Sequence, residues 1–269
     1  MKKPLSVSII IPAYNEQRHL QACLDSIVNQ TVKPDEVIVV DNNSTDKTVE
    51  IAASFPFVKI LAEKRQGIVF ARDRGFNAAT SDIIGRIDAD TILPLNWVAY
   101  VKSFYKTDNH QNQALTGGGY FYNMRLPKIN GWVISQLAYR MNRFILGHYI
   151  TWGSNMALPR AVWDVVKADT CRRGDIHEDL DLSIHLHRAG YEITYNASLQ
   201  AGVYLSRVWE NANERRRHLQ RWPNTVKVHN NRLWFMGVIG NVIVVSVIRL
   251  FMLFEYVAQL FGRKPINRP

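Results

Sequence analysis

The sequence contains few cysteines, and they are not arranged in pairs. Among its 269 residues there are only 2 cysteines, Cys23 and Cys171, and neither belongs to a CxxC motif. A disulfide framework and a zinc ribbon both require closely spaced cysteines, so the spacing favours neither. We therefore expect two free thiols of a protein in a reducing compartment.

Three further features are missing. The segment after the first predicted strand, "PAYNEQRHL", has no GxGxxG turn, which argues against a dinucleotide-dependent oxidoreductase. No internal repeat or low-complexity linker divides the chain. The start "MKKPLSVSIIIPAYNE" has a charged and then an apolar stretch, but the apolar run is short and ends at Pro12 without a small-residue cleavage site. We expect a first strand here, not a secretion signal.

The positive charge is concentrated near the C-terminus. The net charge is +10, and 47% hydrophobic with 21% charged residues is a globular composition, which excludes disorder. Residues 1–203 carry 22 Lys and Arg against 20 Asp and Glu, whereas residues 204–269 carry 11 against 3. The basic cluster leads into an apolar stretch at residues 233–254. This order favours an anionic membrane surface and not nucleic acid as the partner.

Short β-branched runs alternate with helix-period segments in the first ninety residues. The pattern predicts strands at residues 6–11, 36–40, 58–61 and 82–87, and helices at 17–29, 44–55 and 67–79, the second of which would be capped by Ser44 or Thr45. Such alternation predicts an α/β fold with a mostly parallel sheet covered on both faces.

The pattern loosens after Pro94. We predict helices near residues 97–105, 132–146 and 177–190 and strands near 149–159 and 191–197, while the glycine run "TGGGY" is assigned to no element. The prediction is a domain at residues 1–205, with a nucleotide-binding half (1–94) and an α+β second half (95–205). Residues 206–269 would form a basic segment followed by an apolar helix at about 233–254.

Polar side chains follow three of the predicted strands. Ligands of open α/β sheets bind beyond the carboxyl ends of the strands. The residues at these ends are Tyr14, Asn15 and Glu16; Asp41, Asn42 and Asn43; and Asp88 and Asp90. Clustered carboxylates repel each other unless a cation offsets them, and oxygen ligands favour Mg²⁺ or Mn²⁺. A nucleotide diphosphate would complete such a site.

Each of these signals has a simpler interpretation on its own. A lone DxD occurs on many surface turns, and Asp41 could be a turn residue. "DADTI" also approaches the DxDx(T/V) signature of haloacid-dehalogenase-like phosphatases. In that superfamily the first Asp lies on the first strand, whereas Asp88 follows three earlier strands and Ile92 occupies the Thr or Val position. A phosphatase of this kind is therefore a weaker hypothesis than a site for a metal and a nucleotide diphosphate.

Five motifs occur together in one order along the chain. They are "SIIIPAYNE", "DEVIVVDNNSTDKT", "GIVFARDRGFNAA", "IGRIDADT" and "EDLDLSIHLHRAG". Over residues 5–200 the chain thereby resembles the family-2 glycosyltransferases, which have the GT-A fold. The resemblance implies inverting transfer of a sugar from a nucleotide diphosphate sugar, assisted by Mg²⁺ or Mn²⁺. A catalytically inactive membrane scaffold of the same fold is a further alternative.

The resemblance also implies roles for individual residues. The nucleotide-sugar pocket would be lined by Pro12, Tyr14, Glu16, Asp41, Arg72 and Asp88. Asp90 would ligate the metal, and Asp88 would lie between the metal and the ribose. The family usually has Asn at the position of Asp73.

The "ED" motif would supply the catalytic base. It matches Glu178 and Asp179, and the resemblance makes Asp179 the group that removes the proton of an acceptor hydroxyl. The simpler alternative is a helix start at which both carboxylates complement the helix dipole. His185 and His187 are two residues apart and do not share a helix face, so we predict that both lie on the surface.

The segment "HLQRW" is similar to the QxxRW motif of processive membrane synthases, with His218 in place of the leading Gln. This similarity makes Arg221 and Trp222, together with Glu178, candidate residues on the acceptor side. Alternatively, the arginines of this segment form a solvated or lipid-facing surface.

The apolar stretch is long enough to cross a membrane. Its 22 residues would span about 33 Å as a helix, but basic flanks on both sides also suit a helix lying in the membrane plane. Six Lys and Arg at residues 215–232 against three after the stretch favour a catalytic domain on the cytoplasmic side. We expect a lipid-linked or cell-envelope glycan acceptor, no nucleic acid partner, and homo-oligomerisation through the helix as a further option.

Overall fold

A computed structural model describes residues 4–205, 212–230 and 232–261. The described chain forms one seven-stranded sheet in the order β3-β2-β1-β4-β6-β5-β7. Only β6 runs antiparallel to its neighbours β4 and β5. The strands are β1 (Val7–Ala13), β2 (Glu36–Asp41), β3 (Val58–Ala62), β4 (Ile83–Arg86), β5 (Gln113–Phe121), β6 (Met156–Pro159) and β7 (Glu192–Val203).

Helices cover this sheet and continue beyond it. They are α1 (Leu20–Val28), α2 (Thr48–Ala53), α3 (Ile68–Ala78), α4 (Trp97–Lys106), α5 (Pro127–Leu146), α6 (Arg160–Val166), α7 (Glu178–Arg188), α8 (Ala212–Val228) and α9 (Trp234–Leu260). The predicted alternation of strands and helices is confirmed, and β5, β6 and β7 extend the sheet begun by the first four strands.

Alternate residues of each central strand enter two separate cores. Ile9 and Ile11 of β1 pack in one cluster with residues of α1 and α4, such as Leu24 and Val101. Ile10 packs in the other cluster with residues of α3, α6 and α7. Because both faces are covered, the strands are nearly continuous hydrophobic runs, as is typical of parallel sheets.

The strand order reverses direction at β1. This strand pairs with β2 on one side and with β4 on the other, so the chain crosses from β3 to the opposite side of β1. A reversal of this kind leaves a crevice outside the carboxyl ends of the two strands, where open α/β sheets bind ligands. The segments that begin at Tyr14 and Ile87 lie at this crevice.

The glycine run "TGGGY" lies within β5, between β6 and β7, and the sequence interpretation missed this strand. Glycines lower β-propensity, but two of these three are required by their neighbours. A Cβ at Gly117 would overlap the carbonyl oxygen of Leu199, and a Cβ at Gly119 would overlap the ring of Trp152. The predicted strand at 149–159 is shorter than expected, because only its last four residues pair as β6.

The predicted cap of α2 was wrong. The helix begins at Thr48 with Lys47 at its N-cap; the Lys47 side chain makes no capping hydrogen bond, and the backbone N of Thr48 donates to Asp46 Oδ1 at 3.0 Å. Ser44 instead uses its Oγ to accept a hydrogen bond from the backbone N of Asn15, at 3.0 Å. The backbone N of Thr45 donates to Asn15 Oδ1 at 2.8 Å. Both residues therefore tie the β2–α2 loop to the β1–α1 loop.

Helix α9 contains the predicted apolar stretch and extends it to Leu260. By length and composition, with a mean hydropathy of 2.2, it is a candidate membrane span, which is weak evidence for a membrane anchor. One side of α9 packs on the rest of the protein: Gly237 against Trp222, Gly240 against Met141, and Ile248 beside Met124. The predicted basic segment lies partly in α8, and its residues 206–211 lie outside the described residues.

Candidate active site

The ends of β1, β2 and β4 meet at one edge of the sheet. The backbone N of Asn42 donates to the carbonyl of Ala13 at 2.9 Å, which joins the first two ends. The thiol of Cys23, in α1, donates to the carbonyl of Asp88 at 3.6 Å, just after β4. The polar residues predicted from the sequence therefore surround one crevice.

The β1 and β2 ends border a small cavity of about 280 Å³. Pro12 is buried in the strand, whereas the Tyr14 side chain is 49% exposed. Glu16 Oε2 lies 3.1 Å from His19 Nδ1. The cavity is lined by Asn15, Gln17, Arg18, His19, Thr45, Asp46 and Tyr204. Neither this lining nor that of a larger cavity, of about 370 Å³ near His148 and His187, includes Glu16, Asp41, Asp88 or Asp90.

Asp41 closes its own turn. Its Oδ1 accepts a hydrogen bond from the backbone N of Ser44 at 3.1 Å. This contact agrees with the interpretation of Asp41 as a turn residue, which the sequence left open. The predicted contact between Asp41 and a nucleotide base stays a prediction.

Asp88 is held by two donors. Arg86 Nη2 lies 2.8 Å from Asp88 Oδ1, and Ser154 Oγ donates to Asp88 Oδ2. The Arg86 side chain is only 1% exposed, and Nη2 also lies 3.0 Å from Glu178 Oε1. A Cβ at Gly153 would overlap the Arg86 guanidinium, so only glycine leaves room for it. Arg86 thus joins the end of β4 to the start of α7.

Asp90 is half-buried in an electronegative region near Cys23 and Tyr122. Burial, reinforced by Asp90 and Asp88, raises the pKa of the Cys23 thiol well above its ordinary value. Burial and then Asp90 likewise raise the pKa of Tyr122. This carboxylate-rich donor set suits a hard divalent cation, so the residues fit the predicted Mg²⁺ or Mn²⁺.

Asp179 lies in the first turn of α7 and is almost completely buried. Its Oδ2 accepts a hydrogen bond from the backbone N of Gly153 at 2.9 Å, and its Oδ1 pairs with His177 Nδ1. Burial opposes ionisation, but His177, Arg86 and the Gly153 N–H outweigh it and hold the pKa of Asp179 well below its ordinary value. The carboxylate is therefore ionised at neutral pH.

The pKa of His177 shifts in the opposite direction, upward. Burial disfavours the imidazolium, but the Asp179 carboxylate outweighs it and raises the pKa of His177 to about 9. The backbone N of His177 donates to Thr225 Oγ1 in α8 at 2.8 Å. At neutral pH the pair is therefore an ion pair held at the junction of α7 and α8.

Arg72 lies behind this junction. Its Nη1 donates to the carbonyl of Glu178 at 2.8 Å, and its Nη2 lies 2.8 Å from Asp73 Oδ1. Asp73 Oδ2 in turn lies 3.1 Å from Arg172 Nε. Asp73, where the family usually has Asn, thus pairs with two arginines. The predicted contact between Arg72 and the nucleotide stays a prediction, since its guanidinium supports the start of α7.

The "HLQRW" segment lies in α8, against α7. The His218 ring is centred 5.3 Å from that of His177, and burial, with His177 and Arg221 nearby, lowers the pKa of His218 to about 4. Trp222 is buried, and its Nε1 donates to Asn142 Oδ1 at 2.9 Å. The structure therefore brings the candidate acceptor-side segment next to Asp179, with Trp222 serving as a packing residue.

Sequence reasoning missed several residues of the site: Arg86, Gly153, Ser154 and His177. A charged residue within the otherwise apolar run "DIIGRI" was a usable signal for Arg86. Gly153 and Ser154 gave no comparable signal. Of the two histidines predicted at the surface, His187 is exposed, but His185 is half-buried with its Nε2 3.6 Å from Asp181 Oδ1.

Comparison with known proteins identifies the family. Residues 8–165 match the family described as "Glycosyl transferase family 2", which is more than half of the chain. The chain belongs to this family, and the expected enzyme class is confirmed. It is 30% identical over 121 residues to Glycosyltransferase GlyA of Streptococcus pneumoniae, covering 43% of this chain and 17% of that protein. The chain spans well under two thirds of the length of such curated relatives.

Solved structures confirm the GT-A fold. The mannosyltransferase PcManGT of Pyrobaculum calidifontis, in complex with GDP-Man and Mn²⁺, aligns with a TM-score of 0.63 at 18% identity. That alignment covers 98% of this chain and 82% of the other. TarS 1-349 of S. aureus, in complex with UDP-GlcNAc, aligns with a TM-score of 0.52 at 18% identity over 73% of this chain and 57% of that one.

Proposed function

We propose that the protein is an inverting glycosyltransferase that uses a nucleotide diphosphate sugar, with Asp179 as its catalytic base. The observation that carries this proposal is the Arg86 bridge. It holds Asp88, at the donor edge, and Glu178, beside Asp179, on one buried guanidinium. The donor carboxylates and the base therefore face the same crevice at the switch point of the sheet.

The donor end of the site is assigned to β1, β2 and β4. Tyr14 and Glu16, with Pro12 behind them, would border the nucleotide, and Asp41 lies at the same edge. Asp88 and Asp90 would hold Mg²⁺ or Mn²⁺, whose charge neutralises the departing diphosphate when bound. Support comes from the carboxylate-rich donor set and from the GDP-Man, Mn²⁺ and UDP-GlcNAc complexes of the structural relatives.

The acceptor end is assigned to the start of α7 and to α8. An acceptor hydroxyl attacks the anomeric carbon, its proton passes to Asp179, and the bond from the anomeric carbon to the diphosphate oxygen breaks. His177 pairs with Asp179 Oδ1 and orients the base, while Oδ2 accepts a hydrogen bond from the Gly153 N–H. Glu178 and Arg221 would border the acceptor.

We assign a membrane surface as the place of reaction. Contacts between α9 and the rest of the protein extend from Gly237 to Glu255, which pairs with Arg125 at 3.2 Å. The separation of 18 residue steps corresponds to about 27 Å of helix, so a helix bound along this length to a polar domain suits the membrane plane better than a span. A lipid-linked acceptor would reach α8 from the same surface.

The alternatives have less support. A haloacid-dehalogenase-like phosphatase is not favoured, because the chain belongs to a glycosyltransferase family and Asp88 follows the fourth strand. An inactive scaffold would not need both the Arg86 bridge and the ionised Asp179. Homo-oligomerisation through α9 and a cytoplasmic catalytic domain stay predictions.

A donor screen tests the proposal. The full chain is incubated with UDP-, GDP- and dTDP-sugars, with and without Mn²⁺, and nucleotide binding is measured by thermal shift before nucleotide release is measured with membrane lipid extract. We expect one donor to stabilise the protein only with the metal. Asp90→Ala should abolish this stabilisation, whereas Asp164→Ala, on the surface of α6, should not. Absence of any metal-dependent binding would support the scaffold instead.

A further inference from the structure

Four side chains of different chemistry converge on the side of α7 opposite the base. Cys171 Sγ, a carboxylate oxygen of Asp181, and ring nitrogens of His185 and His229 all lie within 4.8 Å of one another. Asp181 is fully buried, and the other three are partly buried. Asp181 follows Asp179 by two residues, and a two-residue step on a helix reverses the direction in which side chains point. The cluster is therefore separate from the donor and acceptor sites.

Local structure brings the four groups together. Asp181 and His185 are four residues apart in α7, so they share a face, and their Oδ1 and Nε2 atoms lie 3.6 Å apart. The backbone N of Cys171 donates to Asp181 Oδ2 at 2.9 Å, which fixes the loop before α7. His229 follows the end of α8 and places its Nε2 2.8 Å from Asp181 Oδ1.

We propose that Cys171, Asp181, His185 and His229 form a structural zinc site that joins α7 to α8. A thiolate, two imidazoles and a carboxylate make four ligands of the types that Zn²⁺ prefers, with all positions supplied by protein, as in structural sites. Bonds of about 2.0–2.3 Å place tetrahedral ligands roughly 3.3–3.8 Å apart. The Cys171 Sγ to His185 Nε2 distance is 4.0 Å, so small side-chain shifts reach this spacing.

The charges balance when the ion binds. Zn²⁺ displaces the thiol proton of Cys171 to solvent, and the resulting thiolate and the Asp181 carboxylate offset its two positive charges. The donor set also differs from the carboxylates at the end of β4, which suit Mg²⁺ or Mn²⁺.

One neighbouring contact has to change. Arg188 Nη1 lies 2.9 Å from His229 Nδ1, which in that contact accepts a hydrogen bond. When Nε2 ligates zinc, the neutral ring carries its hydrogen on Nδ1, so this contact opens. Arg188 is exposed and keeps its second bond, from Nη2 to the His229 carbonyl at 3.1 Å. Zinc binding therefore breaks one hydrogen bond, the one from Arg188 Nη1 to His229 Nδ1.

The site would fix the acceptor side of the protein. His229 directly follows α8, the helix that carries Arg221, Trp222 and Thr225. Asp179 lies in α7. Linking these two helices through a metal holds the candidate acceptor segment against the base without the metal touching the reaction. Cys171 remains a free thiol in the absence of zinc, as the sequence predicted.

Metal binding to the full chain tests the proposal directly. The protein is stripped with a chelator and titrated with Co²⁺ and with Zn²⁺ in separate experiments. We expect one tightly bound ion per chain, with the visible bands of tetrahedral Co²⁺ and a near-ultraviolet thiolate-to-cobalt band. Cys171→Ser should abolish the thiolate band, and His229→Gln should reduce bound zinc to near zero.

Controls separate this site from others. Cys23→Ser should keep the thiolate band, and Asp90→Ala should keep tight zinc binding while losing Mn²⁺ at the donor edge. Circular dichroism of each variant shows whether it folds. If Cys171→Ser distorts the fold, the conservative His185→Asn replaces it and should also lose tight zinc. Full zinc binding in folded His229→Gln, or a cobalt spectrum without a thiolate band, would overturn the proposal.

Discussion

Arg86 Nη2 lies 3.0 Å from Glu178 Oε1, and this contact joins two segments that are 92 residues apart in the sequence. The two residues are buried, and the same guanidinium nitrogen also lies against Asp88. The end of β4 and the start of α7 therefore cannot move independently. Because the proposed donor carboxylates follow β4 and the proposed base, Asp179, lies in the first turn of α7, the distance between them depends on this contact.

Replacing Arg86 should be costly to both stability and transfer. Arg86→Gln leaves two carboxylates near each other without their cation, so we expect the free energy of unfolding to fall by about 3–5 kcal/mol. Sugar transfer should fall at least about 100-fold in the folded variant, since donor edge and base are misplaced. Denaturant titration and transfer assays measure the two effects.

Arg173→Gln is the matched control. Arg173 is exposed, and its Nη2 lies 2.8 Å from Asp175 Oδ2 in a surface pair, so its loss should change stability by less than about 1 kcal/mol. Equal losses in both variants would show that the Arg86 contacts contribute no more than a surface pair.

Asp179→Asn should remove catalysis while preserving donor binding. The amide keeps the shape and can still accept the Gly153 hydrogen bond, but it cannot take the acceptor proton. We expect kcat to fall by about 10²–10⁴-fold with little change in the donor KM. The matched variant Asp175→Asn, at an exposed position paired with Arg173, should retain activity within about twofold. Full activity of Asp179→Asn would assign the base elsewhere.

Much of the fold could be predicted because its signals are local. The β-branched runs and the helices between them predicted the first four strands within two residues at their ends, and the five motifs indicated the family. Strand β5 could not be recognised, because its Gly117 and Gly119 are selected by contacts with Leu199 and Trp152. Those contacts come from segments far along the chain.

The candidate site was predictable in part for the same reason. Asp88 and Asp90 follow a strand, and Asp179 lies in the first turn of a helix, and the patterns of both elements are visible in the sequence. His177 as the partner of Asp179, and His229 as the partner of Asp181, could not be identified in this way. The contact of His229, and the hydrogen bond that holds the His177 backbone to Thr225, depend on where α8 docks on α7. The spacing of residues along the sequence does not determine that docking.

The ion pair between His177 and Asp179 should impose a pH dependence on stability. The pKa of His177 rises from 6.5 to about 9 on folding, so its contribution is fully present below about pH 6.5 and is lost as the pH rises through about 9. The pKa of Asp179 is lowered, so its contribution is present above its ordinary value of 3.8 and is lost on acidification below that. The pair should therefore stabilise most between about pH 4 and 6.5.

His177→Asn tests this dependence. The difference in unfolding free energy between the native protein and the variant should shrink by about 3 kcal/mol between pH 6 and 9.5. Denaturant titrations at intervals of one pH unit measure it. His110→Asn is a control, since that ring stacks on Phe104 and its Nδ1 lies 2.8 Å from the Phe104 carbonyl oxygen. A pH-independent difference would contradict the ion pair.

The exposed side of α9 should bind lipid in the membrane plane. Val242 is 61% exposed there, whereas Val165 is 56% exposed on α6, so Val242→Lys and Val165→Lys are the same change at equally accessible sites. Because Val242→Lys replaces an inserted apolar side chain by a charge, we expect about a tenfold or larger loss of binding to anionic vesicles in flotation assays, and Val165→Lys should bind as before. An in-plane helix should also be released from vesicles by alkaline carbonate, which a spanning helix resists. Resistance to carbonate, or equal binding by both variants, would contradict the in-plane arrangement.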